Sequence, residues 1–165
     1  MTSEHLLHTI PPICDGNSKI LILGSFPSVK SREVSFYYGH PQNRFWRVLA
    51  AVLGCAVPSS NEEKTALLQS HNIALWDVIK SCDIVGSSDS SIKNVVPNDI
   101  GVILSSCGIR QIYSNGKTSE KLFNKYIKDT VGRDTVALPS TSPANASYNL
   151  ERLKDSWSVI KNNIR

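Results

Sequence analysis

The 165-residue sequence lacks the features that mark several large protein classes. Its cysteines are far apart, so the short spacings of zinc sites and iron–sulfur clusters are missing. No apolar run approaches the length of a membrane span, and residues 1–8 carry no basic stretch followed by an apolar one. We therefore expect an intracellular protein with reduced thiols, no metal and no membrane segment. The four cysteines are Cys14, Cys55, Cys82 and Cys107.

Motifs of common enzyme classes are also missing. Ser25 and Ser140 lack the flanking glycines of a nucleophile elbow, and no glycine-rich triphosphate loop occurs. His40 has no nucleophile at any motif spacing. The net charge of +4 permits a polyanionic partner without requiring one.

Short apolar segments alternate with amphipathic ones along the chain. The pattern predicts strands at 19–23, 73–79, 110–113 and 135–138. It predicts helices at 42–53, 60–70, 98–107 and 119–128, and a last helix from about Leu150. Residues 25–41 are predicted to form a loop, and residues 81–98 an irregular segment. Alternation of this kind is typical of a single domain, residues 1–165, with a three-layer α/β/α sandwich around a four-stranded parallel sheet.

Two of these strands end in small, proline-containing turns. Gly24 to Ser28 follows the first strand, and Ser140 to Ala146 follows the last. Ligands bind at the carboxyl ends of strands in open parallel sheets, and small residues let backbone amides approach a ligand closely. The two turns therefore predict a binding cleft.

A loop with three consecutive aromatic residues, 36–38, precedes the helix that contains Asn43. Because alternate side chains of an extended segment face opposite ways, at least one of the three rings is expected to be available to a flat ligand. Asn43 is either a local helix cap or a residue whose amide oxygen orients a water, since an amide cannot act as a true base. Asp77 ends an apolar strand, where it either caps a turn or accepts a hydrogen bond from a ligand N–H.

Three stretches resemble motifs of the uracil-DNA glycosylase superfamily, and the match is closest to its hypoxanthine-DNA glycosylase branch. They are Gly24-Ser25-Phe26-Pro27-Ser28, the segment Phe36 to Trp46, and Leu138-Pro139-Ser140-Thr141-Ser142-Pro143-Ala144-Asn145-Ala146. The resemblance extends from about Lys19 to Ile164. It implies an α/β fold, no cofactor, and hydrolysis of the bond between sugar and base in DNA that contains a deaminated base.

The resemblance also implies roles for particular residues. Asn43 is expected to hold the attacking water, because Phe26 stands where the uracil enzymes carry a polarising aspartate or asparagine. The expected base pocket consists of Gly24, Ser25, Phe26, Phe36, Tyr38, Asp77 and Asn115. The expected DNA contacts are Ser28, Lys30, Ser140, Thr141, Ser142, Pro143, Ala144 and Asn145. The stretch from Pro143 to Asn145 is the expected wedge in the minor groove.

Several alternatives stay open at this stage. Leu138 replaces the histidine that opens the second motif of the uracil enzymes, which favours hypoxanthine over uracil as the base. A uracil or G·T mismatch glycosylase remains a rival with the same fold. A non-catalytic nucleic-acid-binding module is a rival of another class, since Phe26 cannot polarise water, and a small-molecule hydrolase is a third. We expect a monomer.

Overall fold

Seven strands and seven helices make up the part of the chain that the structure describes. The computed structural model describes residues 2–165, and Met1 lies outside the described residues. In chain order the elements are β1 (Glu4–Leu7), β2 (Ile20–Gly24), α1 (Val29–Val34), α2 (Phe45–Leu53), α3 (Asn61–Ser70), β3 (Ile73–Asp77), β4 (Ile79–Ile84), β5 (Lys93–Pro97), α4 (Ile100–Ser106), β6 (Gln111–Asn115), α5 (Lys117–Tyr126), α6 (Lys128–Val131), β7 (Thr135–Leu138) and α7 (Leu150–Trp157). Short 3-10 turns occupy Asp89–Ser91 and Ser158–Asn162.

The central sheet has four parallel strands in the order β3-β2-β6-β7. It confirms the predicted sheet, and β7 has the predicted bounds. Strand β2 lies inside the sheet and is buried along its whole length. A strand buried on both faces is expected to read as a continuous apolar run, which is why this segment was recognisable from sequence.

Helices cover both faces of this sheet. Ile20 and Ile22 of β2 face a core formed with α2, α3 and α7, where Trp157 is fully buried. Leu21 and Leu23 face the opposite core, formed with α4 and α5. Successive side chains of a strand point to opposite faces, so one strand supplies both cores. The three-layer arrangement is the predicted one.

A second, antiparallel sheet was not predicted. It has the order β1-β4-β5 and includes half of residues 81–98, so the prediction of an irregular segment was wrong in β4 and β5. The predicted strand at 73–79 was also wrong at its end, because β3 stops at Asp77 and β4 starts at Ile79 in the other sheet. Strands β1 and β5 are largely exposed, so they lack the apolar alternation that reveals a strand.

The region before the second helix also differs from prediction. Residues 29–34 form α1, within the predicted loop, and its N-cap is Ser28. Helix α2 begins at Phe45 and not at residue 42, because the side chain of Asn43 accepts the Phe45 N–H and the backbone N–H of Arg44 donates to Thr141. The predicted capping box of Ser60 and Glu63 is confirmed at the start of α3.

Two structural findings concern the membrane spans and metal sites that the sequence analysis considered. Within residues 2–165 no helix is long and apolar enough to cross a membrane. In the same range no three His, Cys, Asp or Glu side chains come together as a group that could hold a metal ion.

We expect a thiol reagent at pH 8 to modify Cys55 quickly in the folded protein and Cys82 only after unfolding. Cys55 is exposed after α2, whereas Cys82 is fully buried in β4. Burial raises the pKa of the Cys82 thiol to about 11, so the reactive thiolate is scarce at pH 8. Labelling followed by peptide mass spectrometry measures both sites, with Cys55→Ser as the control that removes the fast phase. Labelling of Cys82 in the folded protein would contradict its burial.

Candidate active site

A cavity of about 390 Å³ opens at the carboxyl ends of the central strands. Strands β2, β3 and β6 end there at Gly24, Asp77 and Asn115, and the loop after β7 closes another side. Predicted site residues that line the cavity are Gly24, Ser25, Phe26, Ser28, Tyr38, Asn43, Asp77, Asn115, Ser140, Thr141, Ser142, Pro143 and Ala144. This cavity is the candidate active site.

Three predicted site residues lie outside the cavity lining. Phe36 stacks on Trp46 with 6.2 Å between ring centroids and packs against the core, so its predicted place in the base pocket was wrong. Lys30 pairs on the surface with Glu33 of its own helix, at 3.6 Å. Asn145 turns back into its own loop, where its amide nitrogen donates to the Ser140 carbonyl oxygen at 3.0 Å.

Asn43 lines the cavity, but its amide oxygen already has two donors. The oxygen accepts the Phe45 N–H at 2.9 Å and the Thr141 hydroxyl at 2.8 Å. An amide oxygen has two lone pairs, so both are engaged. Within residues 2–165 the amide nitrogen of Asn43 makes no hydrogen bond. The group of Asn43 that is available to a ligand is therefore its NH₂, and not the oxygen that the sequence reasoning assigned to a water.

A hydrogen-bonded chain joins Asn43 to the end of β6. The amide of Asn115 donates to the Thr141 hydroxyl at 3.0 Å, and that hydroxyl donates onward to Asn43. The oxygen of Asn115 accepts the Thr141 N–H at 3.0 Å. Thr141 is fully buried. The chain fixes the orientation of both amides, since each amide has only one arrangement that satisfies these donors and acceptors.

Tyr38 lines the cavity and has a strained backbone. Its φ is +52°, a left-handed conformation that is uncommon for bulky residues, and its ring stacks on Phe45 at 4.1 Å between centroids. The hydroxyl oxygen is buried and has no partner at ordinary hydrogen-bond distance among the described residues, although the Asn115 amide lies close enough to favour its charged form. Burial raises the pKa of Tyr38 far above its usual value, and the charge of Asp77 raises it further. The phenol is therefore a neutral donor.

Asp77 is a buried carboxylate at the end of β3. One oxygen, Oδ2, lies 2.8 Å from Nε2 of His8, and both side chains are almost fully buried. The other oxygen, Oδ1, lies against Gly24, where an added Cβ would overlap it and would sit 2.9 Å from the Tyr38 hydroxyl. Only a residue without a Cβ lets the two side chains approach the backbone at this point.

The loop after β7 is held from within by serine turns. The hydroxyl of Ser140 accepts the Ser142 N–H at 3.1 Å, and that of Ser142 accepts the Ala144 N–H at 3.2 Å. Pro143 and Ala144 stand exposed at the tip.

The same loop is clamped by Arg44. Its guanidinium donates to the carbonyl oxygens of Ser142 at 2.8 Å and Asn145 at 3.1 Å, and also to that of Tyr148. Arg44 is therefore an internal clamp of this loop. Five donors in one rigid plane suit arginine to this task.

The residues missed from the sequence include Asp89 in the cavity lining and His8 behind it. His8 lies 69 positions from its partner Asp77 and reaches it because β1 pairs with β4. Asp89, in the segment predicted to be irregular, lines the cavity opposite Ser25, whose hydroxyl donates to it at 3.4 Å. Partial burial raises the pKa of Asp89. The local sequence does not indicate a site at either position. His8 follows a short exposed strand, and Asp89 lies among serines.

Comparison with known proteins agrees with this geometry. The family profile of the uracil DNA glycosylase superfamily matches residues 11–163, nearly the whole chain. A cavity at the strand ends, flanked by the two turns that correspond to the family's motifs, is present in the structure. The chain belongs to the uracil DNA glycosylase superfamily.

Individual relatives are similar to this chain over most of its length. A protein of Methanosarcina barkeri named hypoxanthine DNA glycosylase is 35% identical over 149 residues, which is 89% of this chain and 92% of the relative. A protein of Methanosarcina acetivorans with the same name is 34% identical and covers 91% and 94% of the two chains. A solution NMR structure from M. acetivorans, described as a proposed uracil DNA glycosylase, superposes with a TM-score of 0.79 at 33% identity and covers 92% and 94%.

Proposed function

We propose that this protein is a monofunctional DNA glycosylase that releases hypoxanthine from DNA containing deoxyinosine. The observation that carries the proposal is the cavity, where Asn43, the two motif turns and a buried set of polar side chains meet at the strand ends. The relatives named hypoxanthine DNA glycosylase support the choice of base. The enzyme acts as a single-domain monomer inside the cell, and no cofactor enters the reaction.

The reaction begins with the target nucleotide outside the duplex, because the bond to be broken is inaccessible within the base stack. The bond between N9 of the base and C1′ of the sugar breaks, and its electron pair leaves with the base. Backbone N–H groups of Ser25 and Phe26 on the cavity wall stabilise the charge on the departing base. Phe26 and Tyr38 flank the base.

Asn43 positions the water that replaces the base. Its free NH₂ donates to the water oxygen, which leaves a second lone pair to attack C1′ as the sugar becomes cation-like. The water then loses a proton to solvent, and the released base takes one up. An electrophile of that kind needs little base strength from its nucleophile, so an amide suffices where uracil enzymes carry an aspartate or asparagine in the first motif. The hydrogen-bonded chain through Thr141 keeps the NH₂ from exchanging places with the oxygen.

The loop after β7 engages the DNA. Its exposed tip, Pro143 and Ala144, fits the role of a wedge that occupies the space of the flipped nucleotide. The hydroxyls of Ser28, Ser140 and Ser142 at the cavity rim hold flanking phosphates, and Lys30 adds charge nearby. Asn145 contributes by shaping the loop, through its bond to the Ser140 carbonyl.

We expect the purified protein to release free base from an inosine duplex faster than from uracil or G·T duplexes of the same sequence. Single-turnover assays with excess enzyme, resolved by alkaline strand scission, measure the three rates. Faster release from the uracil or G·T duplex would favour the rival glycosylase. Duplex binding without base release from any of them would identify a non-catalytic binding module and would overturn the proposal.

A further inference from the structure

A second concave surface lies beside the candidate active site, between strand β5 and helix α5. It encloses about 550 Å³ and shares Asp89 with the active-site cavity, so the two surfaces meet at that residue. Its walls carry Lys93 from β5 and two lysines from α5, Lys121 and Lys125. We call this surface the lysine groove.

The lysine groove is positively charged and has no counterions of its own. None of its three lysines pairs with a carboxylate of residues 2–165, whereas Lys30 pairs with Glu33 and Lys128 with Asp134. Among the described lining residues the only acidic one is Asp89, at the end that the groove shares with the cavity. Because neighbouring like charges repel each other, such a surface favours a ligand with several negative charges.

The lysines stand on rigid elements at a regular spacing. Lys121 and Lys125 are four residues apart on α5, so they lie on one face of the helix with about 6 Å of rise between them. Fully buried Phe123 anchors this helix, and the Lys125 ammonium lies 5.1 Å from the ring centroid of Tyr126, which packs against the same core. A DNA strand presents one phosphate about every 3.4 Å along the helix axis, so a regular row of cations suits it.

The lysine groove and the loop after β7 lie on different sides of the cavity. The loop is held by Arg44 and by Trp157, whose indole N–H donates to the Pro139 carbonyl at 2.9 Å, in the layer of α2 and α7. The groove packs instead on the core beneath α4 and α5. A strand whose target nucleotide enters the cavity can therefore continue into the lysine groove while the loop contacts the DNA from the other side.

We propose that the lysine groove binds the phosphate backbone of the DNA strand that carries the target base, on one side of the flipped nucleotide. The inference rests on the proposed glycosylase function for the identity of that strand, and it adds a contact outside the base pocket and outside the two motif turns. The ammonium groups of Lys93, Lys121 and Lys125 donate to phosphate oxygens. Such contacts carry no sequence information, so the groove contributes affinity for any duplex and fixes the direction in which the protein lies on the strand.

The first test measures the affinity for an undamaged duplex against salt concentration by fluorescence anisotropy. We expect Lys121→Ala/Lys125→Ala to bind about 10-fold more weakly than wild type at about 50 mM salt. The slope of log Kd against log salt should fall by about 2, since each phosphate contact contributes about 0.9. Lys121→Arg/Lys125→Arg keeps both charges and should keep the wild-type slope. An unchanged slope in the alanine variant would overturn the proposal, because the groove would then not touch DNA.

A matched control removes the same charge at the other end of the sheet. Lys19 directly precedes β2, and Lys161 lines a separate pocket with Asn72, the residue before β3. We expect Lys19→Ala/Lys161→Ala to keep the wild-type slope. An equal fall of the slope in this control would overturn the proposal, because it would show an effect of net charge and not of the lysine groove.

The second test locates the lysine groove on the strand. Each duplex carries one 2′-fluoroarabino nucleotide with hypoxanthine, whose fluorine disfavours the cation-like sugar and so prevents cleavage. One methylphosphonate, which removes a single phosphate charge, is placed at successive positions of the same strand. We expect wild type to lose about 3- to 10-fold in affinity at two or three consecutive phosphates on one side of the lesion, and Lys121→Ala/Lys125→Ala to lose nothing there. Equal losses in both proteins at every position would overturn the assignment to this strand.

Failure of the inference differs from failure of the proposed function. Wild-type protein that releases no base from inosine DNA would overturn the function, whereas the salt test on undamaged duplex would still decide whether the lysine groove binds DNA. Release of hypoxanthine by the wild-type protein, together with a wild-type salt slope in Lys121→Ala/Lys125→Ala, would overturn only the role of the groove.

Discussion

Replacing Asn43 with alanine should lower the single-turnover rate of hypoxanthine release by about 100- to 1,000-fold, a loss typical of removing one positioned donor from an active site. Duplex affinity should stay within a few fold of wild type, because the groups expected to hold phosphates lie elsewhere on the rim. The physical reason is that alanine leaves the water without its anchor while C1′ still becomes cation-like. A loss confined to the chemical step shows that the interaction is made in the transition state.

The Asn43 side chain also accepts the first N–H of α2, that of Phe45, so the loss of rate must be separated from a loss of stability. Removal of a capping side chain costs about 1 kcal/mol, or a few degrees in Tm for a chain of this size. Asn149→Ala is the matched control, since its side chain accepts the Arg152 N–H at the start of α7 at 2.9 Å, away from the cavity lining. We expect it to lose similar stability and no rate. Wild-type rates in Asn43→Ala, with duplex binding kept, would remove Asn43 from the mechanism.

The parts of the molecule that were predictable from sequence are those with local signals. Strand β2 is a continuous apolar run that ends in a glycine turn, and α7 presents Leu153 and Trp157 on one buried side. The resemblance assigned Asn43 and the loop after β7 to one site, and both line the same cavity because these segments follow the strand ends. Such features depend on residues close together in the chain.

What was missed depends on residues that are far apart. The Thr141 hydroxyl that donates to the Asn43 oxygen lies 98 positions away in the chain, and no periodicity of the sequence predicts this contact. His8 reaches Asp77 only through the pairing of β1 with β4, two strands of a sheet that the sequence did not indicate. Phe36 was assigned to the pocket as one of three aromatics, but its ring stacks on Trp46 of the next helix. Packing against the rest of the fold, and not position in the sequence, decides which of several consecutive aromatic rings faces a ligand.

Arg44→Ala should destabilise the protein by about 3 kcal/mol and should disorder the loop after β7. The guanidinium joins three backbone carbonyls of that loop, at Ser142, Asn145 and Tyr148, and hydrogen bonds to a charged group contribute about 1.5–3 kcal/mol. Without the clamp these carbonyls lose their donor, so the tip with Pro143 loses its fixed position. Thermal unfolding measures the first effect, and faster amide exchange in residues 140–148 measures the second.

Two further variants distinguish a clamp from a contact with phosphate. Arg44→Lys keeps the charge but not the planar fork, so a clamp predicts that lysine rescues little stability and little loop order. A phosphate contact predicts near-complete rescue by lysine, and it also predicts that Arg44→Ala lowers the salt dependence of duplex binding by about one counterion. Arg133→Ala is the control, because that guanidinium holds a single carbonyl, of Ile109 at 3.0 Å, away from the loop. An unchanged salt slope together with a loosened loop is the result that the internal clamp requires.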